Sequence, residues 1–120
     1  NMKKITKPAV QEESVKYSDF SGKCFGEWHT PVELKLEFSY GSKYDGAYLK
    51  LDLDDEDLKP ILELIKSKLS KESKDHFKKQ LDKYDKDYND SMQMRDWDNC
   101  DRTINSSWLY RYFLDIKFEE

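Results

Sequence analysis

Val32-Glu33-Leu34-Lys35-Leu36-Glu37-Phe38-Ser39-Tyr40 decides the fold, together with Gly41-Ser42-Lys43-Tyr44-Asp45-Gly46 and the Ala47-Tyr48-Leu49-Lys50-Leu51-Asp52-Leu53 that follows. Apolar residues take every second place in the first and last of these segments. A period of two assigns Val32, Leu34, Leu36, Phe38 and Tyr40 to one strand face and Glu33, Lys35 and Glu37 to the other. Leu49, Leu51 and Leu53 continue the apolar face on a second strand, opposite Tyr48, Lys50 and Asp52. The polar segment between them ends in Asp-Gly, which suits a hairpin connection. The pattern predicts an antiparallel pair with one solvated face.

The period then changes. Asp54-Asp55-Glu56-Asp57 places acids where exposed N–H groups and the helix macrodipole favour them. Asp57 is the expected cap, because Pro60 then falls in the first turn. Leu58, Ile61, Leu62, Ile65 and Leu69 recur at helical spacing. Upstream, Val15–Phe20 and Cys24–Trp28 are expected as two further strands, with Pro31 marking the start of the long one. Residues 1–14 read as a polar arm, with a short strand around Ile5.

Downstream, Ser73 is the expected cap of a long charged helix whose stripe is Phe77, Leu81, Tyr84, Tyr88 and Met92. Asp75–Lys79, Lys78–Asp82, Asp82–Lys86 and Lys86–Asp90 stand four apart with opposite signs, a solvated-face pattern. Beside the Leu58–Leu69 stripe, this narrow stripe predicts an antiparallel helical hairpin lying on the sheet. Residues 106–118 suit a helix better than a strand, with Trp108, Leu109, Tyr112, Phe113 and Ile116 on one side. The expected fold is α+β. Residues 15–120 form a single domain in this reading, an antiparallel sheet of three to four strands packed by two or three C-terminal helices.

Charged residues make up 38% of the chain, yet the net charge is only −4. Residues 1–53 balance eight lysines against eight acids, so the excess belongs to the second half. That balance disfavours a protein built to grip nucleic-acid backbones. Cys24 and Cys100 fit no small disulfide framework and are expected as reduced thiols in a cytoplasmic protein. No apolar run approaches a membrane span, and the basic start lacks the hydrophobic segment of a secretory signal. Met2 reads as the native start and Asn1 as a leftover of expression.

Glycine-rich phosphate loops and nucleophile elbows are missing from the sequence. Cys24, His29, His76 and Cys100 offer zinc-binding atoms, but not at ligand spacing. Asp96, Asp98 and Asp101 lack the glycine and closing glutamate of a calcium loop. No cofactor or metal is expected. The preferred reading is a non-catalytic acidic protein acting on a protein partner, in the manner of an inhibitor, immunity or phage-type accessory protein. Tyr44, Tyr48, Asp54, Asp55 and Glu56 are its expected contact residues, since exposed aromatics anchor interfaces. A homo-oligomer is compatible with the sequence.

Two alternatives compete with it. A small ligand or nucleotide would use Arg95, Trp97, Asp98, Asn99 and Arg102, with the arginines meeting phosphate and the indole stacking. The bland account of that segment is the frayed end of the long helix. A magnesium-dependent nuclease would use Asp19, Glu33 and Lys35, residues that any wet strand face also carries.

Overall fold

The computed structural model describes residues 16–118, and the expected arm and the strand around Ile5 lie outside them. The protein is α+β: β1 (Val32–Glu37) and β2 (Tyr48–Leu53) precede α1 (Asp55–Lys68), α2 (Lys71–Met94) and α3 (Trp97–Leu114). The chain forms two compact units, one ending at Leu62 and the other beginning at Glu63.

In the first unit β1 and β2 pair antiparallel with Val32 opposite Leu53 and Glu37 opposite Tyr48. Like charges oppose each other at Glu33–Asp52 and Lys35–Lys50. Attraction instead runs along and across the strands, from Lys50 Nζ to Asp52 (3.0 Å) and Glu33 (3.6 Å), and from Lys35 to Glu33 (3.3 Å). Lys35 first, and Lys50 next, hold the Glu33 carboxyl below its ordinary range. Tyr40 leaves the predicted strand face and is 96% exposed in the turn. The apolar face is only partly covered: Leu53 is fully buried, while Val32, Leu36 and Leu49 are exposed.

The sheet among the described residues has two strands, not three or four. The described residues of the expected strands Val15–Phe20 and Cys24–Trp28, from Lys16 onward, form no regular strand, because the chain reverses between them too tightly. Ser18 Oγ accepts the N–H groups of Phe20 and Ser21, and its carbonyl accepts that of Gly22, at positive φ. One bridge, Tyr17 to Cys24, remains. Buried Ser18 also donates its hydroxyl to Asp57 Oδ2 at 2.5 Å, fastening this loop to the start of α1.

Asp54, not Asp57, caps α1. Asp57 N–H donates to Asp54 Oδ1 (2.8 Å) and Asp54 N–H donates to Asp57 Oδ2 (3.0 Å), a reciprocal capping box. Pro60 therefore lies inside the helix rather than in its first turn. Of the predicted stripe only Leu58 is buried, and Ile65 is exposed. The same offset recurs at α2, where Ser70 caps and Ser73 N–H donates to it at 3.0 Å.

The helices that pair are α2 and α3. Phe77, Tyr84, Tyr110 and Phe113 interlock their rings across this pair, around buried Leu81. Ser91 is buried in α2 where Met92 was expected, and Met92 is exposed. On α3 the buried positions are Cys100, Thr103, Ser107 and Phe113, whereas Trp108, Leu109 and Tyr112 are exposed. Lys78–Asp82 (2.8 Å) and Lys86–Asp90 (3.0 Å) form as predicted, joined by Lys71–Asp75 (3.6 Å). Each pairs a lysine with the aspartate that follows it; Asp75–Lys79 and Asp82–Lys86 are not ion pairs in this structure.

Residues 106–114 are helical as predicted, but α3 starts at Trp97, nine residues before Ser106. Asp96 caps it by accepting Asn99 N–H, and α2 ends just before, at Arg95. Arg95 N–H bonds Met92 O and Asp96 N–H bonds Ser91 O, with Arg95 at φ 58. Both thiols are free: Cys24 is exposed, and burial, followed by Asp96 and Asp101, pushes the Cys100 thiol up.

Two outcomes follow for stability. An L-residue in the left-handed region is strained, so Arg95→Gly should stabilise by about 0.5–1 kcal/mol, read as a higher urea midpoint at unchanged slope. Asp57 is held below the ordinary aspartate value first by the Asp54 N–H and then by the Ser18 hydroxyl. A lowered folded value means its contribution is complete above the unfolded value and lost as pH falls through the folded one. Urea titrations from about pH 6 to about pH 2 should show that loss in the acid limb, reduced in Ser18→Ala.

Candidate functional site

The last turns of α3 carry Trp108, Arg111 and Tyr112, which three- and four-residue spacing places on one helix face. Their surroundings depend on how α3 ends. Asp115 adopts φ 58, its N–H bonds Tyr112 O, and Ile116 N–H bonds Arg111 O at 3.0 Å. This Schellman turn folds Lys117 and Phe118 back, so that the Phe118 ring lies 4.3 Å from the Trp108 ring, centroid to centroid. Arg111 pins the returning segment. Its Nη1 donates to Lys117 O at 3.3 Å and its guanidinium stands 4.2 Å above the Phe118 ring.

Arg111 is itself oriented from α2. Nη2 donates to Asp85 Oδ2 at 2.6 Å, Nε to Ser107 Oγ at 3.1 Å, and the Ser107 hydroxyl donates to Asp85 Oδ1 at 2.7 Å. Arg111 is mostly buried and Ser107 entirely so. The end of α1 supplies the remaining wall: Lys66 Nζ reaches Asp115 Oδ1 at 2.6 Å and lies 4.6 Å over the Tyr112 ring. Asp115 raises the Lys66 ammonium above its ordinary value, so the lysine stays cationic.

These residues enclose an open cleft of about 470 Å³ whose walls are mainly apolar. A more polar hollow of about 440 Å³ shares Lys66, Tyr112 and Asp115 with it, so the Lys66–Asp115 pair forms a common wall. Among the described residues of the cleft wall, Lys66, Arg111 and Lys117 are cationic and Asp115 acidic, with Lys66 paired to Asp115 and Arg111 to Asp85 behind the wall. Such walls hold a flat or branched apolar group by ring contact and attract a carboxylate beside it.

No family model matches the chain, and neither a curated protein nor a solved structure does.

The expected contact residues are distributed differently. Tyr44 and Tyr48 are both exposed in the first unit, Tyr44 edge-on to Phe38. Asp54, Asp55 and Glu56 follow the opposite end of β2, roughly 20 Å along the strand from Tyr48. Asp54 is occupied in the capping box. Among the Arg95–Arg102 residues, Asn99 and Arg102 come together, but to fasten helices: Arg102 Nη2 donates to Asn99 Oδ1 at 2.6 Å, and Asn99 Nδ2 to Ser91 Oγ at 2.5 Å. Arg95 is the left-handed end of α2, and Trp97 and Asp98 are exposed. Asp19 accepts Asp52 N–H at 2.6 Å, while Glu33 pairs with Lys35 and Lys50. Among the described residues no three histidine, cysteine or acidic side chains are grouped to hold a metal ion.

The sequence reading missed Lys66, Arg111, Asp115, Lys117 and Phe118. Trp108-x-x-Arg111-Tyr112 is the one local signal, an aromatic–cation–aromatic face near a helix end. Breaking the Asp85 carboxylate's hold should loosen both helices and cleft. Asp85→Ala should destabilise by about 1.5–3 kcal/mol in urea unfolding, with loss of near-ultraviolet dichroism from the Trp108–Phe118 contact.

Proposed function

We propose that the chain is a non-catalytic binding protein, of the inhibitor or accessory kind, that captures a protein partner through the Trp108–Phe118 cleft. The observation that carries this reading is an aromatic cleft left open to solvent but held in shape by fixed ion pairs. Trp108 is 58% exposed, although Phe118, Arg111 and the Asp85 pair hold its neighbours in position. Preorganised walls lose little freedom on binding, and exposed tryptophan is a frequent interface anchor. The fitting partner presents a bulky apolar side chain beside an acidic one, complementary to Lys66 and Lys117. Tyr44 and Tyr48 remain the candidate second contact.

Small planar anions are the second reading, favoured by a volume within the ~300–1,000 Å³ of small-molecule sites.

Affinity capture from lysate, followed by native mass spectrometry, separates these. Binding of a stoichiometric protein held by wild type should be weakened at least about tenfold by Trp108→Ala, with the helical far-ultraviolet dichroism and a cooperative unfolding transition retained because the indole is largely exposed. Capture unaffected by Trp108→Ala but lost in Tyr44→Ala/Tyr48→Ala would overturn the cleft and assign the contact to the hairpin. A small bound mass, without protein, would support the second reading.

A further inference from the structure

Among the described residues, the two edges of the hairpin differ: the β2 edge is bonded at one residue and the β1 edge at none. Phe38 N–H donates to Ala47 O at 2.9 Å, which sets the even-numbered residues of β1 toward β2. The N–H and C=O groups of Glu33, Lys35 and Glu37 therefore point away from it. On the other side, the β2 edge is bonded at Asp52: Asp52 O accepts Asp19 N–H at 2.8 Å and Asp52 N–H donates to Asp19 Oδ2 at 2.6 Å. Among the described residues no backbone group meets the β1 edge. Its apolar side is only partly covered, with Val32, Leu36 and Leu49 at 42%, 44% and 43% exposure.

A lysine in mid-strand ordinarily protects such an edge from pairing. Here the protection depends on register. Antiparallel pairing of β1 with itself must match odd with odd residues for the outward groups to bond. Centred on Lys35, it sets Lys35 against Lys35 and Glu33 against Glu37, and the charges repel. Centred on Leu34, it sets Glu33 against Lys35 twice, Val32 against Leu36 twice, and Leu34 against Leu34, all within the strand.

We propose that β1 pairs antiparallel with β1 of a second copy about a two-fold axis at Leu34, making a four-stranded sheet across a homodimer. Two copies of one edge then satisfy each other, an isologous contact, and the Glu-x-Lys step selects its register.

Charge exchange tests this, with each exchanged residue set opposite a residue of opposite sign on β2 in place of the exposed Glu33 ion pairs it gives up. Lys35→Glu sets an acid against the second copy's Glu33, while inside the hairpin it lies opposite Lys50. Adding Glu33→Lys restores attraction between copies and places the new lysine opposite Asp52. Sedimentation velocity of the full chain over a concentration series should show a wild-type dimer. Lys35→Glu should weaken it at least about tenfold, and Glu33→Lys/Lys35→Glu should recover it. A wild type that stays monomeric throughout, a dimer indifferent to Lys35→Glu, or failure of the double variant to recover it would each overturn the pairing.

Discussion

The Asp85 carboxylate is the constraint on which the second unit depends. It lies between α2 and α3 and takes one bond from Ser107 and one from Arg111, so a single α2 side chain sets both the helix pairing and the direction of a guanidinium. The Asp85 side chain keeps about a third of its surface in water (34%), so the pair draws its specificity from two fixed hydrogen bonds rather than from burial. Both oxygens are used, and the arginine spends its remaining reach on Lys117 O and the Phe118 ring. The cleft is thus the outer end of a network whose inner end is helix packing. Ring contacts among Phe77, Tyr84, Tyr110 and Phe113 supply the apolar share of that packing, and the ionic network supplies its orientation.

Both helix N-caps show how a local pattern can be recognised and yet be placed one turn late. Asp54 and Asp57, like Ser70 and Ser73, are both good cap residues, and in each pair the first is the cap while the second returns or supports the bond. Reading the second as the cap moves Pro60 into a permissive first turn. In the structure the proline sits deeper, where it deprives the Glu56 carbonyl of the donor that α-helix geometry would place there.

Much of the architecture was legible because it rests on periodicity. The β1–β2 hairpin and its solvated face follow from strict alternation, and the long charged helix from its stripe and spaced ion pairs. The α2–α3 seam was not legible, because three of its buried positions are Ser91, Thr103 and Ser107. Hydroxyl residues carry no hydrophobic signal, so periodicity alone points Met92, Trp108 and Tyr112 inward instead. Nor could the cleft be read in full. Its walls meet through a left-handed turn on Asp115 rather than glycine, and through Lys66, 49 residues distant in sequence from its aspartate. Side-chain orientation of that kind has no local pattern.

The connections within each unit are short. The β1–β2 ladder closes through the loop from Phe38 to Ala47, and α2 meets α3 across only Arg95 and Asp96. Contacts that lie close along the chain close small loops and lose little entropy in forming. Each unit is therefore built for rapid assembly from its own hairpin, β in one and helical in the other. The two hairpins are also the natural cooperative segments for local opening, so amide-exchange protection should group by hairpin rather than fade evenly along the chain.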